Sequence, residues 1–265
     1  MSKLAETLLI EGPDAQAFAH AQFSSRVSSL DIGCWQFSAW LNPQGRVRAF
    51  FHLIRLADDK YLLLLRGGDA SSMAEALQRF VLRSKLIIRA LLPRGLTAGS
   101  ALPIYTIRKD DEVISLGCDA YSMQITDNIS CDDSWQLQQL RSGWSWLPKS
   151  ALGELLPAAL SLQRLHAVAI DKGCYPGQEI IARLHFRGGH KRHLFSGTLS
   201  QPLAPGETLR IHGNAVGIAL DVTTENGRSE AVVVLNDDVA VKASDGLLEL
   251  FDDQLRLHIE TCWPA

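Results

Sequence analysis

Hydrophobic and polar positions alternate with two different periods along the chain, and the switch between them marks the elements. Phe18 and Ala21 follow Gly12-Pro13-Asp14, which predicts a helix with proline at its first position. Cys34–Leu41 reads as a strand that runs into the turn Asn42-Pro43-Gln44-Gly45. Beyond it, Val47, Ala49, Phe51 and Leu53 alternate with Arg46, Arg48, Phe50 and His52, the period-2 pattern of a second strand. Tyr61–Leu65 is continuously apolar, as a strand buried on both faces would be. Ser72 and Glu75 have capping-box spacing ahead of Met73, Leu77 and Phe80, which predicts a helix, and Leu86–Ala90 is again strand-like.

Residues 110–150 carry no clear period. Trp135, Trp144 and Trp146 lie close together there and read as packing residues. After Leu194 the pattern changes to short strands between Gly, Pro and Asp-Asp turns. Six are expected: His193–Leu199, Thr208–His212, Gly217–Val222, Ala231–Leu235, Leu247–Phe251 and Leu255–Ile259, with Asp252-Asp253 turning the last hairpin. They predict a separate β-barrel or sandwich.

Composition narrows the picture only a little. The 265 residues carry a net charge of −3, so wholesale electrostatic binding to nucleic acid is not expected. Five cysteines, Cys34, Cys118, Cys131, Cys174 and Cys262, show no CxxC spacing. That argues against a disulfide framework and against a resident iron–sulfur or zinc site. No leader-like or membrane-spanning run is seen, and a reduced cytoplasmic protein without a membrane partner is expected.

The most unusual stretch is Asp171–His193, DKGCYPGQEIIARLHFRGGHKRH. Pro176 fits a first helical turn, which would put Cys174 just ahead of a helix N-terminus. The helix dipole, and Lys172 if it points the same way, would favour a thiolate, while Glu179 would oppose one. Three readings stay open: a structural cysteine, a Cys–His nucleophile with His166 or His185, and a metal site from Cys174, His185, His190 and His193. Beyond the helix, Arg183, Arg187, Lys191 and Arg192 form a basic run beside Gly188-Gly189, suited to carboxylates or phosphates.

KGCYPGQE followed by IIAR resembles the signature of the YgfZ-type folate-binding proteins, cousins of the glycine-cleavage T-protein, an aminomethyltransferase. IEGPDAQAFAHAQFSSRVSSL, LNPQGRVRAFFHLIRLADDKYLLLL, LQRFVLRSKLII and LLPAALSLQ also resemble that family, so the likeness spreads over about residues 8–90 and 155–195. The resemblance implies an α+β, GcvT/YgfZ-like three-subdomain fold with a C-terminal β-barrel. Residues 1–45 and 111–190 would form the first folate-binding subdomain, 46–110 an interleaved α+β subdomain, and 191–265 the barrel. It implies tetrahydrofolate or a one-carbon derivative as cofactor, and iron–sulfur client proteins as partners, including tRNA-modifying enzymes. The motif residues Lys172, Gly173, Cys174, Tyr175, Gly177, Gln178, Glu179 and Arg183 carry over, with Cys174 as the functional thiol. Asn42, Glu179, Arg187, Lys191 and Arg192 are the candidate folate contacts.

One departure bears on activity. The T-protein motif has the form N-x-x-G-G-[IV]-x-D-D, and aligned on Asn42 and Gly45 this chain has Arg46 for a glycine and Ala49-Phe50 for the two aspartates. An apolar pair cannot orient or deprotonate an amine, so glycine-cleavage chemistry is not expected. The early polar stretch of the family is also altered, with Ser24-Ser25-Arg26 in its place. The first expectation is therefore a folate-binding accessory protein for iron–sulfur enzymes. A one-carbon transferase and an RNA-binding factor acting through Arg183–His193 are the alternatives, with tRNA binding not favoured and DNA not expected.

Overall fold

The computed structural model describes residues 3–127, 134–243, 245–251 and 254–264. Strands β1 (Leu4–Ala5) and β2 (Thr7–Glu11) lead into helix α1 (Ala15–Gln22). Strands β3 (Trp35–Leu41), β4 (Val47–Ala57) and β5 (Lys60–Gly67) form a meander, followed by α2 (Ala70–Gln78) and β6 (Ile87–Ala90). Next come β7 (Arg94–Gly99), β8 (Ile107–Asp110), β9 (Val113–Gly117), β10 (Ser122–Thr126), and helices α3 (Ser134–Arg141) and α4 (Gln178–Arg187). The C-terminal part holds β11 (Arg192–Leu199), β12 (Thr208–Ile211), β13 (Asn214–Glu225), β14 (Arg228–Asn236), α5 (Asp237–Ala240), β15 (Leu247–Leu250) and β16 (Leu255–Trp263).

The strands make three antiparallel sheets, ordered β3-β4-β5-β2-β6, β1-β7-β10-β9-β8 and β12-β13-β14-β11-β16-β15. The chain interleaves between the first two, because β1 and β2 part at Glu6 and join different sheets. The residue 45 boundary falls in the turn between β3 and β4 of one sheet, and residues 94–110 contribute to the other.

The first sheet is covered on both faces, which explains its nearly unbroken apolar strands. In β5, Tyr61, Leu63 and Leu65 face a core with α1 and α2, while Leu62 and Leu64 face a larger core shared with the other two sheets. The third sheet divides the same way. Val233 and Leu235 fill its interior, and Val232 and Val234 join the large core. All six expected strands are present, and the Phe251 N–H donates to the Arg210 carbonyl at 2.7 Å, bridging the two ends of this barrel-like sheet. The barrel is therefore not separate: its outer surface is part of the central core. The expected Asp252-Asp253 turn and Cys131 lie outside the described residues.

Several helix ends differ from expectation. Helix α1 begins at Ala15 rather than Pro13, and it buries Ala15, Phe18 and Ala19 while Ala21 is exposed. Gly12-Pro13 are used in the approach turn, and the Asp14 carboxylate accepts the Lys85 N–H at 2.6 Å. Helix α2 is capped by Asp69, whose carboxylate accepts the Ser72 N–H at 2.6 Å, so Ser72 is a capped residue and not the cap. Phe80 falls past the helix end and is 48% exposed. Trp135 and Trp144 are core residues, as expected, but Trp146 is only partly buried and lines a cleft.

Candidate functional site

A cleft of about 900 Å³ opens where the three sheets meet. Strands β4 and β5 supply Arg48, Ala49, Leu65 and Arg66, and α2 supplies Ser72 and Met73 with its cap Asp69. The 146–152 segment gives Trp146, Leu147 and Lys149; the barrel gives Pro205, Leu220 and Asp221. Gly67 makes this junction possible. A Cβ there would lie 2.6 Å from the Leu147 Cβ, so only glycine lets the 146–152 segment approach the sheet.

Two charged groups are built into the wall. Arg66 is fully buried and donates to Gln139 Oε1 at 2.7 Å, to the Ser145 carbonyl at 3.2 Å and to the Trp144 carbonyl. Its guanidinium lies 4.6 Å from the Trp146 ring centroid. Burial pushes Arg66 down to about 10, with Asp221 pulling it back up, so it stays a cation at neutral pH. Asp221 is 3% exposed, accepts the Lys3 ammonium at 2.8 Å and accepts the Trp146 N–H at 3.4 Å. At the rim, exposed Arg48 lies 4.1 Å from the Trp40 ring, beside exposed Lys149. The Ser72 hydrogen bonds hold Asp69 below the usual carboxylate range.

The cysteine segment has a different character. Helix α4 starts at Gln178, two residues later than Pro176 suggests, because Gly177 takes φ +79° at the N-cap. A Cβ on Gly177 would sit 2.6 Å from the Asn42 carbonyl and 2.7 Å from the Gly45 Cα. The motif glycine is thus the contact that seats the segment on the Asn42–Gly45 turn. Asn42 holds that turn through its own side chain, whose oxygen accepts the Arg46 N–H at 2.9 Å.

Lys172 does not serve the thiol. It is buried, and its ammonium donates to the carbonyls of His20 at 2.6 Å, Ser25 at 2.8 Å and Phe23. Burial pushes it down to about 7, against which three carbonyl acceptors favour the charged form. Tyr175 is buried, 4.8 Å from that ammonium, and Gln178 donates to the Ile170 and Lys172 carbonyls at 3.3 and 2.9 Å. Gly173, Cys174, Glu179 and Arg183 are exposed.

None of Asn42, Cys174, Glu179, Arg187, Lys191 and Arg192 lines the large cleft. Arg187 and Lys191 are exposed, and Arg192 donates to Asn236 Oδ1 at 3.0 Å. A smaller hollow of about 230 Å³ lies beside the end of α4, lined by His185, Gly188, Gly189 and His190. His193 pairs with Asp237 at 2.6 Å, and among the described residues no group of three or more His, Cys, Asp or Glu could hold a metal ion. No helix among the described residues is long and apolar enough to cross a membrane.

Sequence reasoning missed Arg66 and Asp221. The signal was present: each is a single charge inside an apolar strand, in LLLLRGG and GIALDV. Such a charge has to be matched by partners or by a ligand.

No family model matches the chain. Similar proteins are nonetheless found along most of it. One, named tRNA-modifying protein YgfZ, from Klebsiella pneumoniae, is 25% identical over 95% of this chain and 88% of its own length. The chain is similar to proteins of that name along nearly its whole length. A second protein of that name, from Escherichia fergusonii, is 26% identical over the same shares. An uncharacterized protein of Haemophilus influenzae is 27% identical over 70% of this chain and 68% of its own. The solved structure of the glycine cleavage system aminomethyltransferase T from Bartonella henselae superposes with a TM-score of 0.70. It covers 97% of this chain and 82% of that one, at 17% identity. That likeness establishes the fold: a GcvT-like arrangement with a barrel-like C-terminal sheet.

Proposed function

We propose that this chain binds a tetrahydrofolate in the central cleft and supports iron–sulfur enzymes of tRNA modification, without transferring an aminomethyl group itself. The observation that carries the reading is Ala49. It lines the cleft and is 2% exposed, at the position where the aminomethyltransferase motif has an aspartate. Its neighbour Phe50 is 1% exposed in the large core. The fold of a folate-dependent transferase is kept, and the carboxylate that would handle the amine is replaced by a methyl group.

The lining suits a reduced folate. Its donor-rich heterocycle needs acceptors, which Asp221 and Asp69 supply. Its aromatic middle needs an apolar slot, and Trp40, Leu65, Met73, Leu147 and Leu220 provide one. Its glutamate carboxylates need cations, and Arg48 and Lys149 stand at the rim. Arg187, Lys191 and Arg192 are the other candidates for a polyglutamate tail. A bound folate would supply one-carbon chemistry; the chain's own part is to hold it and exclude water. Cys174, exposed at the surface, is assigned to contact with the client protein.

Anaerobic calorimetry tests this. Tetrahydrofolate should bind wild type and Cys174→Ser alike with micromolar affinity, and Asp221→Asn at least about tenfold more weakly. Absence of binding to wild type would overturn the reading.

A further inference from the structure

Strand β6 lies at the open edge of the first sheet, and a basic, apolar segment runs into it and out of it. Residues 79–92 read RFVLRSKLIIRALL. Arg79, Arg83, Lys85 and Arg89 are exposed, and among the described residues none of them has an ion-pair partner. The nearby Asp14 carboxylate is taken by the Lys85 backbone N–H at 2.6 Å. Interleaved with these cations are Phe80, Leu82, Ile87 and Leu92, exposed by 48, 89, 67 and 86%. Leu82 also has φ +44°, a left-handed conformation in which leucine is uncommon.

The backbone register shows what the edge offers. The Leu91 N–H donates to the Thr7 carbonyl at 2.9 Å, and β6 pairs with β2 so that Leu9 faces Arg89 and Glu11 faces Ile87. In an antiparallel ladder hydrogen-bonded pairs alternate, so Ile87, Arg89 and Leu91 bond to β2. The N–H and C=O groups of Ile88 and Ala90 therefore point away from the sheet.

Charges at an open edge often serve only to prevent strand pairing. That role does not call for four large apolar side chains in water beside them. A second copy of this chain is a poor occupant, because paired β6 edges would bring cations against cations. We infer that β6 is a docking edge for an extended segment of a partner protein in which acidic and apolar residues alternate. The outward groups of Ile88 and Ala90 would bond its backbone, Arg89 would meet its carboxylates on the face that it shares with Ile87, joined by Arg83 and Lys85, and the exposed Phe80, Leu82 and Leu92 flanking the strand would cover its apolar side chains. The inference is independent of the folate reading, since none of these residues lines the cleft.

The test uses fluorescence anisotropy with a labelled ten-residue peptide of alternating glutamate and valine. Saturable binding to the full chain is expected. It should weaken at least about tenfold in Arg83→Glu/Arg89→Glu and on raising salt from about 0.05 to 0.3 M. Ala90→Pro, which removes an outward donor and leaves the β2 ladder bonds in place, should weaken it similarly. If either variant misfolds by circular dichroism, a peptide N-methylated at alternate residues gives the same answer on wild type: it should not bind. Three results would overturn the inference: no saturable binding, equal binding of the N-methylated peptide, or binding of a single-stranded RNA oligonucleotide at this edge in preference to the peptide.

Discussion

The cysteine segment and the cleft are built on opposite terms. The segment carries the most specific sequence motif in the chain, yet three of its eight motif residues are spent on holding backbone to backbone. Lys172 gathers three carbonyls, Gln178 two, and Gly177 seats the segment on the Asn42–Gly45 turn. The cleft carries no compact motif, and its walls come from residues 3 to 221. A local motif can thus mark a structural clasp, while the ligand-sized space is made by topology.

The sharpest way to break this contrast is at the two motif glycines. Gly177→Ala should cost roughly 3 kcal/mol through its positive φ and its collision with the Asn42 carbonyl, lowering Tm by several degrees. Gly173→Ala meets no atom within 4 Å and should leave Tm nearly unchanged. Equal melting curves for the two variants would refute the clasp.

Lys172→Met should cost about 2 kcal/mol by leaving buried carbonyls unpaired. It carries a pH signature as well. The folded value of Lys172 is depressed to about 7, so between there and its ordinary value of 10.5 the unfolded chain binds more protons. Stability of wild type relative to Lys172→Met should therefore rise with pH across that window, at most by about 1.4 kcal/mol per pH unit. Paired urea titrations at pH 6.5 and about 9 measure it, and a flat difference would show that the carbonyls fully offset burial.

On the cleft side, Arg48→Ala/Lys149→Ala should weaken triglutamyl tetrahydrofolate about tenfold, with less effect on the monoglutamate. Should the Arg187/Lys191/Arg192 triple alanine variant produce that discrimination instead, the tail runs along the α4 surface. The smallest effect belongs to Cys174→Ser. Stability within about 0.5 kcal/mol and unchanged folate affinity are expected from an exposed residue outside the cleft. Loss of client-enzyme activation in that variant alone would mark the thiol as a working group.

Strand periodicity is legible because apolar runs are bounded by turn residues, even though β4 and several barrel strands carry register shifts. Val47–Ala57 and the six barrel strands follow from alternation and turn residues. The helix starts differ from the sequence pattern at Pro13 and Pro176, where the decisive contact is non-local, Asp14 to Lys85 and Gly177 against Asn42, and at Ser72, where the cap is Asp69, three residues earlier. The resemblance located the segment that clasps the turn. Arg66 and Asp221 escaped because a single charge in an apolar strand reveals nothing about its partners, which here lie 73 and 218 residues away.

The Lys3–Asp221 pair has a consequence for how the protein is made. A ribosome releases the first cleft residue more than 200 positions before the last, so the complete cleft cannot exist on a nascent chain until the barrel strand β13 has emerged and folded back. Ligand binding by this architecture is therefore also a report that synthesis has passed the middle of the C-terminal barrel.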